Sequence, residues 1–212
     1  MSKKDCYKTV SHEAQTLLVE KKSKFIANVR PVDNEADALE YLAAMRSKYS
    51  DARHNVYAYV IDENNIFRYS DDGEPGGTAG MPVLDAIRKA GIVDVIVVVT
   101  RYFGGTLLGT GGLVHAYSPS ASSGLNAAKV IIREKCNIVD VTVDYTLVGK
   151  IQYMLGSDGY DTEDTIYENE VTFKVVCSLD DTDNFINKVT DLTNGKAICK
   201  LTDTKYVDRE SY

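Results

Sequence analysis

The chain has 212 residues, of which 44% are hydrophobic and 26% charged, with 15 Gly, 4 Pro and no Trp. This composition is typical of an ordinary soluble globular protein, and it excludes the disordered, collagen-like and membrane-spanning classes. The length allows one large domain or two small ones. No apolar run approaches the ~20 residues that cross a bilayer, and the polar start MSKKDCYKT lacks the apolar stretch of a signal peptide, so we expect a cytoplasmic protein.

The net charge of -7 is divided unevenly along the chain. Residues 1–135 carry 17 Lys and Arg against 16 Asp and Glu, whereas residues 136–212 carry 7 against 15, a net charge of -8. This asymmetry predicts two units. Because the acidic unit repels phosphate, any contact with nucleic acid is expected on the first unit, where basic residues can gather on one face.

The four cysteines, Cys6, Cys136, Cys177 and Cys199, are far apart in the chain and form no CxxC pair. This spacing is typical of reduced thiols in a reducing compartment. Since the chain has only 3 histidines, it also argues against a structural zinc site. We therefore predict free, mostly buried cysteines.

In chain order, the first predicted elements are a hairpin, a helix and a second hairpin. Two apolar-alternating runs within residues 16–32 flank the turn-like Lys21-Lys22-Ser23, which is the pattern of a β-hairpin. Residues 34–48 space apolar side chains along one face and begin with an asparagine that can cap the first turn, which predicts a helix. The second hairpin has strands at 56–61 and 66–69.

A helix, a buried strand and a second helix are predicted next. The helix at 81–90 has a proline near its start and Gly91 as a stop signal. Residues 93–99 are β-branched and apolar on both alternating faces, which predicts a strand buried on both sides. The second helix covers about 113–129, and we expect a kink or a restart at Pro119, because an interior proline costs about 3 kcal/mol.

The second part of the chain has a different order of elements. From residue 138 the pattern is strand, helix, strand, strand, helix, strand, which suits a four-stranded antiparallel sheet with two helices on one face, the ferredoxin-like arrangement. We therefore predict an α+β protein with a first domain at 1–135 and a ferredoxin-like βαββαβ domain at 136–212.

Ten of the 15 glycines lie between positions 73 and 112, and nine of these ten are in two loops that each lead into a helix, GEPGGTAG and GGTLLGTGG. Free backbone amides at a helix start attract anions, so both loops could hold phosphate. The alternative is that glycine only fits tight turns and close packing. Neither loop has the GxxxxGK[ST] pattern, so a nucleotide-binding motif is not supported.

A permanent positive charge, Arg101, follows the buried strand directly and stands beside the aromatic pair Tyr102 and Phe103. An arginine at a strand end can bind phosphate or carboxylate of a ligand. The structural alternative is an ion pair with Asp71 or Asp72 of the same chain.

The loop after the second hairpin carries three carboxylates, Asp71, Asp72 and Glu74. They could in principle bind a divalent cation or act as an acid–base pair. Asp-Gly and Glu-Pro are also common turn chemistry, so we predict no metal and no cofactor. His54 precedes a strand without an identifiable nucleophile partner, and no catalytic residue is predicted.

Four segments resemble, in order, the signature segments of the YigZ/IMPACT family: SKFIA at 23–27, ARHNVYAY at 52–59, YSDDGEPGGTAGMP at 69–82 and VVVTRYFGGTLLGTGGLVHAYS at 97–118. The resemblance covers about residues 16–130 and is typical of a bacterial two-domain member. It implies a first domain with the fold of elongation factor G domain IV, including a left-handed βαβ crossover, and a second domain similar to domain V of that factor. Because the eukaryotic relatives are translation regulators, the resemblance also implies a role in translation.

The resemblance implies no catalytic residues, so its motif positions are assigned to a binding surface, to which we add two glycines of the second Gly-rich loop. These positions are His54, Asn55, Asp71, Asp72, Gly73, Glu74, Thr78, Arg101, Tyr102, Gly104, Gly105, Gly111 and Gly112. The chain departs from the family pattern at His115, where a lysine or arginine is common. A histidine there weakens a phosphate-binding surface near neutral pH.

Two functions remain open from the sequence. The first is a non-enzymatic cytoplasmic regulator of translation that binds the ribosome, RNA or a translation-associated protein through its N-terminal domain, without DNA sequence recognition or membrane contact. The alternative is a hydrolase of phosphorylated or peptide-like small molecules that uses the three carboxylates, His54 and Arg101. A binding surface predicts salt-sensitive association, whereas an enzyme predicts a deep pocket that holds those groups within hydrogen-bond reach.

Overall fold

The computed structural model describes residues 4–210. It is an α+β structure of two compact units, here called unit 1 (residues 4–133 with 208–210) and unit 2 (residues 134–207). Residues 208–210 therefore group with unit 1, although the sequence pattern assigned everything after 136 to the second domain. Asp208 explains this grouping, since its carboxylate accepts hydrogen bonds from Arg133 Nε and Nη2 at 2.7 and 3.1 Å.

Unit 1 is built on a five-stranded antiparallel sheet. Its strands, in the spatial order of the sheet, are β2 (Ala14–Glu20), β3 (Ser23–Pro31), β6 (Val95–Tyr102), β4 (His54–Ile61) and β5 (Ile66–Ser70). Both predicted hairpins are confirmed, as is the burial of the central strand on both faces. Lys21 and Lys22 close the first hairpin with φ values of 44° and 67°, a two-residue turn that matches the strand twist.

A short strand, β1 (Cys6–Val10), precedes this sheet and was not predicted. Lys8 forms a parallel bridge with Ile92, and its carbonyl accepts a hydrogen bond from the Val93 amide at 2.9 Å. Only five residues long, the strand is too short to show clear alternation in the sequence.

Three helices cover the two faces of the unit 1 sheet: α1 (Glu35–Lys48), α2 (Gly80–Ala90) and α3 (Gly109–Ala127). Val95, Val97 and Val99 pack with α2 and α3, whereas the alternate residues Ile96 and Val98 pack with α1. Because successive strand residues point to opposite faces, α1 lies on one side of the sheet and the other two helices lie on the opposite side.

The start of α3 differs from expectation, and the helix does not restart at its proline. The helix begins at Gly109, so Gly111 and Gly112 belong to its first turn and not to a preceding loop. It also runs through Pro119 as one helix. Pro119 and His115 are both exposed, so water can bind the carbonyl that loses its partner at the proline.

Unit 2 has the predicted ferredoxin-like order. Its elements are β7 (Val130–Val143), α4 (Val148–Asp158), β8 (Asp161–Tyr167), β9 (Val171–Ser178), α5 (Thr182–Thr193) and β10 (Ile198–Glu210), of which β7 and β10 extend beyond the unit. The strands pair in the order β10-β7-β9-β8. Apolar residues of β7 and β9 form one core with Ile151 of α4 and Phe185 of α5.

All four cysteines are free thiols, of which Cys136 and Cys177 are buried and Cys6 is exposed. Burial raises the pKa of the Cys177 thiol to about 12, so this residue is unreactive near neutral pH. No helix within residues 4–210 has the length and apolar character needed to span a bilayer.

Candidate binding site

The motif segments meet at one end of the unit 1 sheet. Because β6 is antiparallel to both of its neighbours, its end lies beside their starts, and Arg101 stands opposite Phe25 of β3 and His54 of β4. The carboxylate loop that follows β5 reaches the same end, since His54 Nδ1 contacts the carbonyl of Asp72 at 2.8 Å. The register of three strands therefore brings together segments that are far apart in the sequence.

The carboxylate of Asp71 caps the N-terminus of helix α2, although Asp71 lies nine residues before the helix begins. Its Oδ1 accepts hydrogen bonds from the amides of Ala79 and Gly80 at 3.0 and 2.8 Å, and its Oδ2 accepts one from Gly77 at 2.9 Å. A carboxylate at a helix N-terminus satisfies amides that have no partner within the helix. Both oxygens of Asp71 are consequently engaged by the backbone.

Replacing Asp71 by alanine is expected to lower the free energy of unfolding by about 2–3 kcal/mol, because three backbone amides lose their acceptor. Asp71→Asn should cost less, since one oxygen remains to accept. Chemical denaturation followed by circular dichroism measures both values. Asp85→Ala, within the same helix, is the matched control, and an equal loss in Asp71→Ala and Asp85→Ala would contradict the capping role.

Asp72 fixes the start of β4. Its Oδ2 accepts a hydrogen bond from the Asn55 amide at 2.6 Å, and its Oδ1 contacts Arg46 Nη2 at 3.3 Å. Its carbonyl accepts from His54 Nδ1, and a carbonyl can only accept, so Nδ1 carries the proton. In the neutral imidazole the acceptor nitrogen is thus Nε2.

Glu74 and Arg101 form a buried ion pair in which Oε1 of Glu74 lies 2.7 Å from Nη1 of Arg101, with side chains only 4% and 8% exposed. The hydroxyl of Tyr117 donates to the same oxygen at 2.8 Å, and Nε2 of His54 lies 4.0 Å from it. Burial, and then the charge of Glu74, raise the pKa of Tyr117 far above its usual range. The carboxylate partner of Arg101 is therefore Glu74 and not Asp71 or Asp72.

A cavity of about 820 Å³ opens above this ion pair. His54, Glu74, Arg101 and Tyr102 contribute to its lining, together with the start of α3. Its rim carries residues outside the predicted set: Asp51, the exposed Arg53, Phe103 with 53% of its surface exposed and Leu107 with 86%. Such a volume is in the range of small-molecule and cofactor sites.

A second, smaller cavity of unit 1 has a volume of about 360 Å³. It is lined by Lys22, Lys24 and Ile26 and shares Tyr102 and Phe103 with the larger cavity. The two aromatic residues thus stand between two depressions of unit 1. In the sequence, Lys22 belongs to the turn of the first hairpin and Lys24 to the family segment SKFIA, and neither was assigned to the binding surface.

The remaining predicted positions support the backbone around the cavity. Asn55 is buried and accepts a hydrogen bond from the Thr100 hydroxyl at 2.8 Å, and the Thr78 hydroxyl donates to the Pro75 carbonyl at 2.7 Å. Gly73 and Gly105 have φ values of +85° and +86°, which favour glycine. Gly104 lies directly against the backbone of the first hairpin. Within residues 4–210, no group of three or more His, Cys, Asp or Glu side chains is placed to hold a metal ion.

Comparison with known proteins matches both parts of the chain. Residues 21–125 match the family model of the Impact N-terminal domain, and residues 141–196 match a domain of unknown function, DUF1949. A solved protein described as a hypothetical protein has a TM-score of 0.60 at 28% identity, and the match covers 94% of this chain and 98% of that one.

Curated relatives match over most of the chain. IMPACT family member YvyE of Bacillus subtilis (strain 168) is 38% identical over 204 residues, which cover 96% of this chain and 94% of the relative. IMPACT family member YigZ of Escherichia coli (strain K12) is 32% identical over 180 residues, 82% and 87% of the two chains. Protein IMPACT of Bos taurus is 34% identical over 104 residues, 46% of this chain and 32% of that protein. The chain belongs to the IMPACT family.

Proposed function

We propose that this chain is a non-enzymatic regulator of translation that binds a component of the translation machinery through the cavity rim of unit 1. Family membership supports the role, because the resemblance of the N-terminal domain to eukaryotic IMPACT proteins implies regulation of translation. The observation that carries the proposal is that the three carboxylates of the loop are bound by backbone amides and side chains of unit 1. The side chains that remain exposed at the cavity rim include cationic and apolar ones.

A hydrolase would need carboxylates that are free to exchange protons with a substrate. Both oxygens of Asp71 bind backbone amides, and those of Asp72 bind Asn55 and Arg46. Oε1 of Glu74 accepts from two side chains and is buried. This arrangement suits a rigid scaffold that presents a surface, and it supports binding over turnover.

One observation favours the alternative hydrolase. The cavity contains His54, whose Nε2 lies 4.0 Å from Glu74 Oε1, so a general base and a carboxylate are close together. A base of this kind also needs a nucleophile or a positioned water. The alternative predicts release of phosphate or amine from a small substrate, with activity lost in His54→Ala.

The proposal is tested by sedimenting the full chain with ribosomes across a salt series. We expect association that weakens steeply as salt rises, because each phosphate that a cation neutralises releases counterions. Arg53→Glu should weaken association and reduce the slope of log affinity against log salt by about 1. Lys89→Glu has the same charge change at an exposed position at the far end of α2 and should leave the slope unchanged.

Two results would contradict the proposal. The first is the absence of co-sedimentation at low salt. The second is an equal loss in Arg53→Glu and Lys89→Glu, which would show that net charge and not the cavity rim controls association.

A further inference from the structure

We infer that the rim of the two cavities binds single-stranded RNA, with bases stacked on Tyr102 and Phe103 and phosphates held by the surrounding cations. This inference rests on the proposed function and names the chemical class of its partner. Both aromatic residues line both cavities. A strand that crosses from one cavity to the other must pass them.

The rings are presented differently. Phe103 follows the last residue of β6 and keeps 53% of its surface exposed. The hydroxyl of Tyr102 donates to Asp51 Oδ1 at 2.7 Å, which fixes the ring, and this hydrogen bond raises the pKa of Tyr102 to about 12. Tyr102 is a fixed, half-buried ring and Phe103 is an exposed one. Exposed aromatic surface suits base stacking, which tolerates any sequence because every base has a π-face.

The charges around the rings favour a polyanion. Three exposed cations line the two cavities, namely Lys22, Lys24 and Arg53, whereas the fourth, Arg101, is buried in its ion pair with Glu74. The two acidic residues there, Asp51 and Glu74, already accept hydrogen bonds from Tyr102 and from Arg101. The lining therefore has two more basic than acidic residues, in a chain whose net charge is -7. A local positive surface on an acidic protein selects a ligand with several negative charges.

The shape of the site favours a single strand over a duplex. The bases of a duplex are stacked on one another, so their faces cannot reach protein side chains, whereas unpaired bases can be splayed out and stacked on aromatic rings. A cavity of about 820 Å³ beside one of about 360 Å³ has room for such bases. Leu107, which is 86% exposed, adds an apolar wall.

The test measures fluorescence anisotropy of a labelled oligouridylate of about ten nucleotides with the full chain, a length within the usual site sizes of such proteins. We expect binding of this strand and at least tenfold weaker binding once it is annealed to its complement. Phe103→Ala should weaken affinity by about tenfold or more without changing the salt slope, because stacking carries no charge. Phe67→Ala is the matched control, since Phe67 is 42% exposed on β5 of the same sheet.

The cations are tested separately. Lys22→Gln with Lys24→Gln should reduce the magnitude of the salt slope by about 1.4, that is about 0.7 for each lost phosphate contact on a single strand. The matched double variant Arg88→Gln with Lys89→Gln removes two exposed charges from α2 and should leave the slope unchanged.

The outcomes separate this inference from the proposed function. Ribosome association that depends on Arg53 without binding of the free oligonucleotide would overturn the RNA assignment and leave the proposed function with a protein partner. Equal effects of Phe103→Ala and Phe67→Ala would overturn the stacking role. Binding of the oligonucleotide without ribosome association would support the RNA site and overturn the proposed function.

Discussion

Glu74→Ala should lower the free energy of unfolding of unit 1 by about 3–5 kcal/mol, because it leaves the guanidinium of Arg101 buried and without a carboxylate. Among the described residues 4–210, Arg101 Nε has no hydrogen-bond partner, so the 2.7 Å contact of Nη1 with Glu74 is the main compensation of the guanidinium. Tyr117 loses its acceptor at the same time. Denaturation by guanidinium chloride, followed by circular dichroism, measures the loss of unfolding free energy.

Two further variants make this result specific. Glu63→Ala removes an exposed glutamate from the connection between β4 and β5 and should change stability by less than about 0.5 kcal/mol. Glu74→Gln combined with Arg101→Met removes both charges and should recover part of the loss, since a buried pair can often be replaced by neutral groups. A loss below about 1 kcal/mol in Glu74→Ala would show that water reaches Arg101 and that the pair is not a structural element.

The second large effect is expected at Gly104, whose lack of a side chain allows the chain after β6 to touch the first hairpin. A Cβ there would lie 2.0 Å from the carbonyl carbon of Lys22 and 2.3 Å from the amide nitrogen of Ser23. These atoms belong to the backbone, so Gly104→Ala must displace the turn. We expect a loss of at least about 1–3 kcal/mol and, because Lys22 moves, weaker binding of the oligonucleotide.

Gly76→Ala is the control for this variant. A Cβ at Gly76 meets no atom of the described part of the chain within 4 Å, and the φ of Gly76 is not positive, so stability and binding should both stay close to those of the unchanged protein. Thermal melting and fluorescence anisotropy compare the two variants. If Gly104→Ala melted like Gly76→Ala, the close packing of this segment on the hairpin would not contribute to the fold.

Most elements could be predicted from the sequence because their signals are local. The hairpin at Lys21, the helix that begins after Asn34 and the stop at Gly91 each follow from a few neighbouring residues. The predicted start of α3 was wrong because the first turn of this helix consists of Gly and Thr, whose weak helix propensity is typical of a loop. Packing of the following apolar residues, such as Leu113, outweighs that preference.

The candidate site was less predictable because its contacts depend on strand register. The sequence shows Arg101 near three carboxylates, and Asp71 and Asp72 were equally plausible partners. The structure pairs it with Glu74, since the loop turns at Asp72, whose φ is +45°, and places Glu74 beneath the end of β6. Nothing local distinguishes the three carboxylates before the strands are aligned.

The return of the chain to unit 1 makes unit 2 an insertion in the topological sense. The chain leaves unit 1 after residue 133 and re-enters at residue 208, and the two ends are joined by Arg133 and Asp208 at 2.7 Å. A truncation after residue 135 would thus strip Arg133 of its carboxylate. Excision of residues 134–207 with a short glycine–serine bridge would retain both halves of that pair, so unit 1 is better isolated by internal deletion than by shortening the chain from its end.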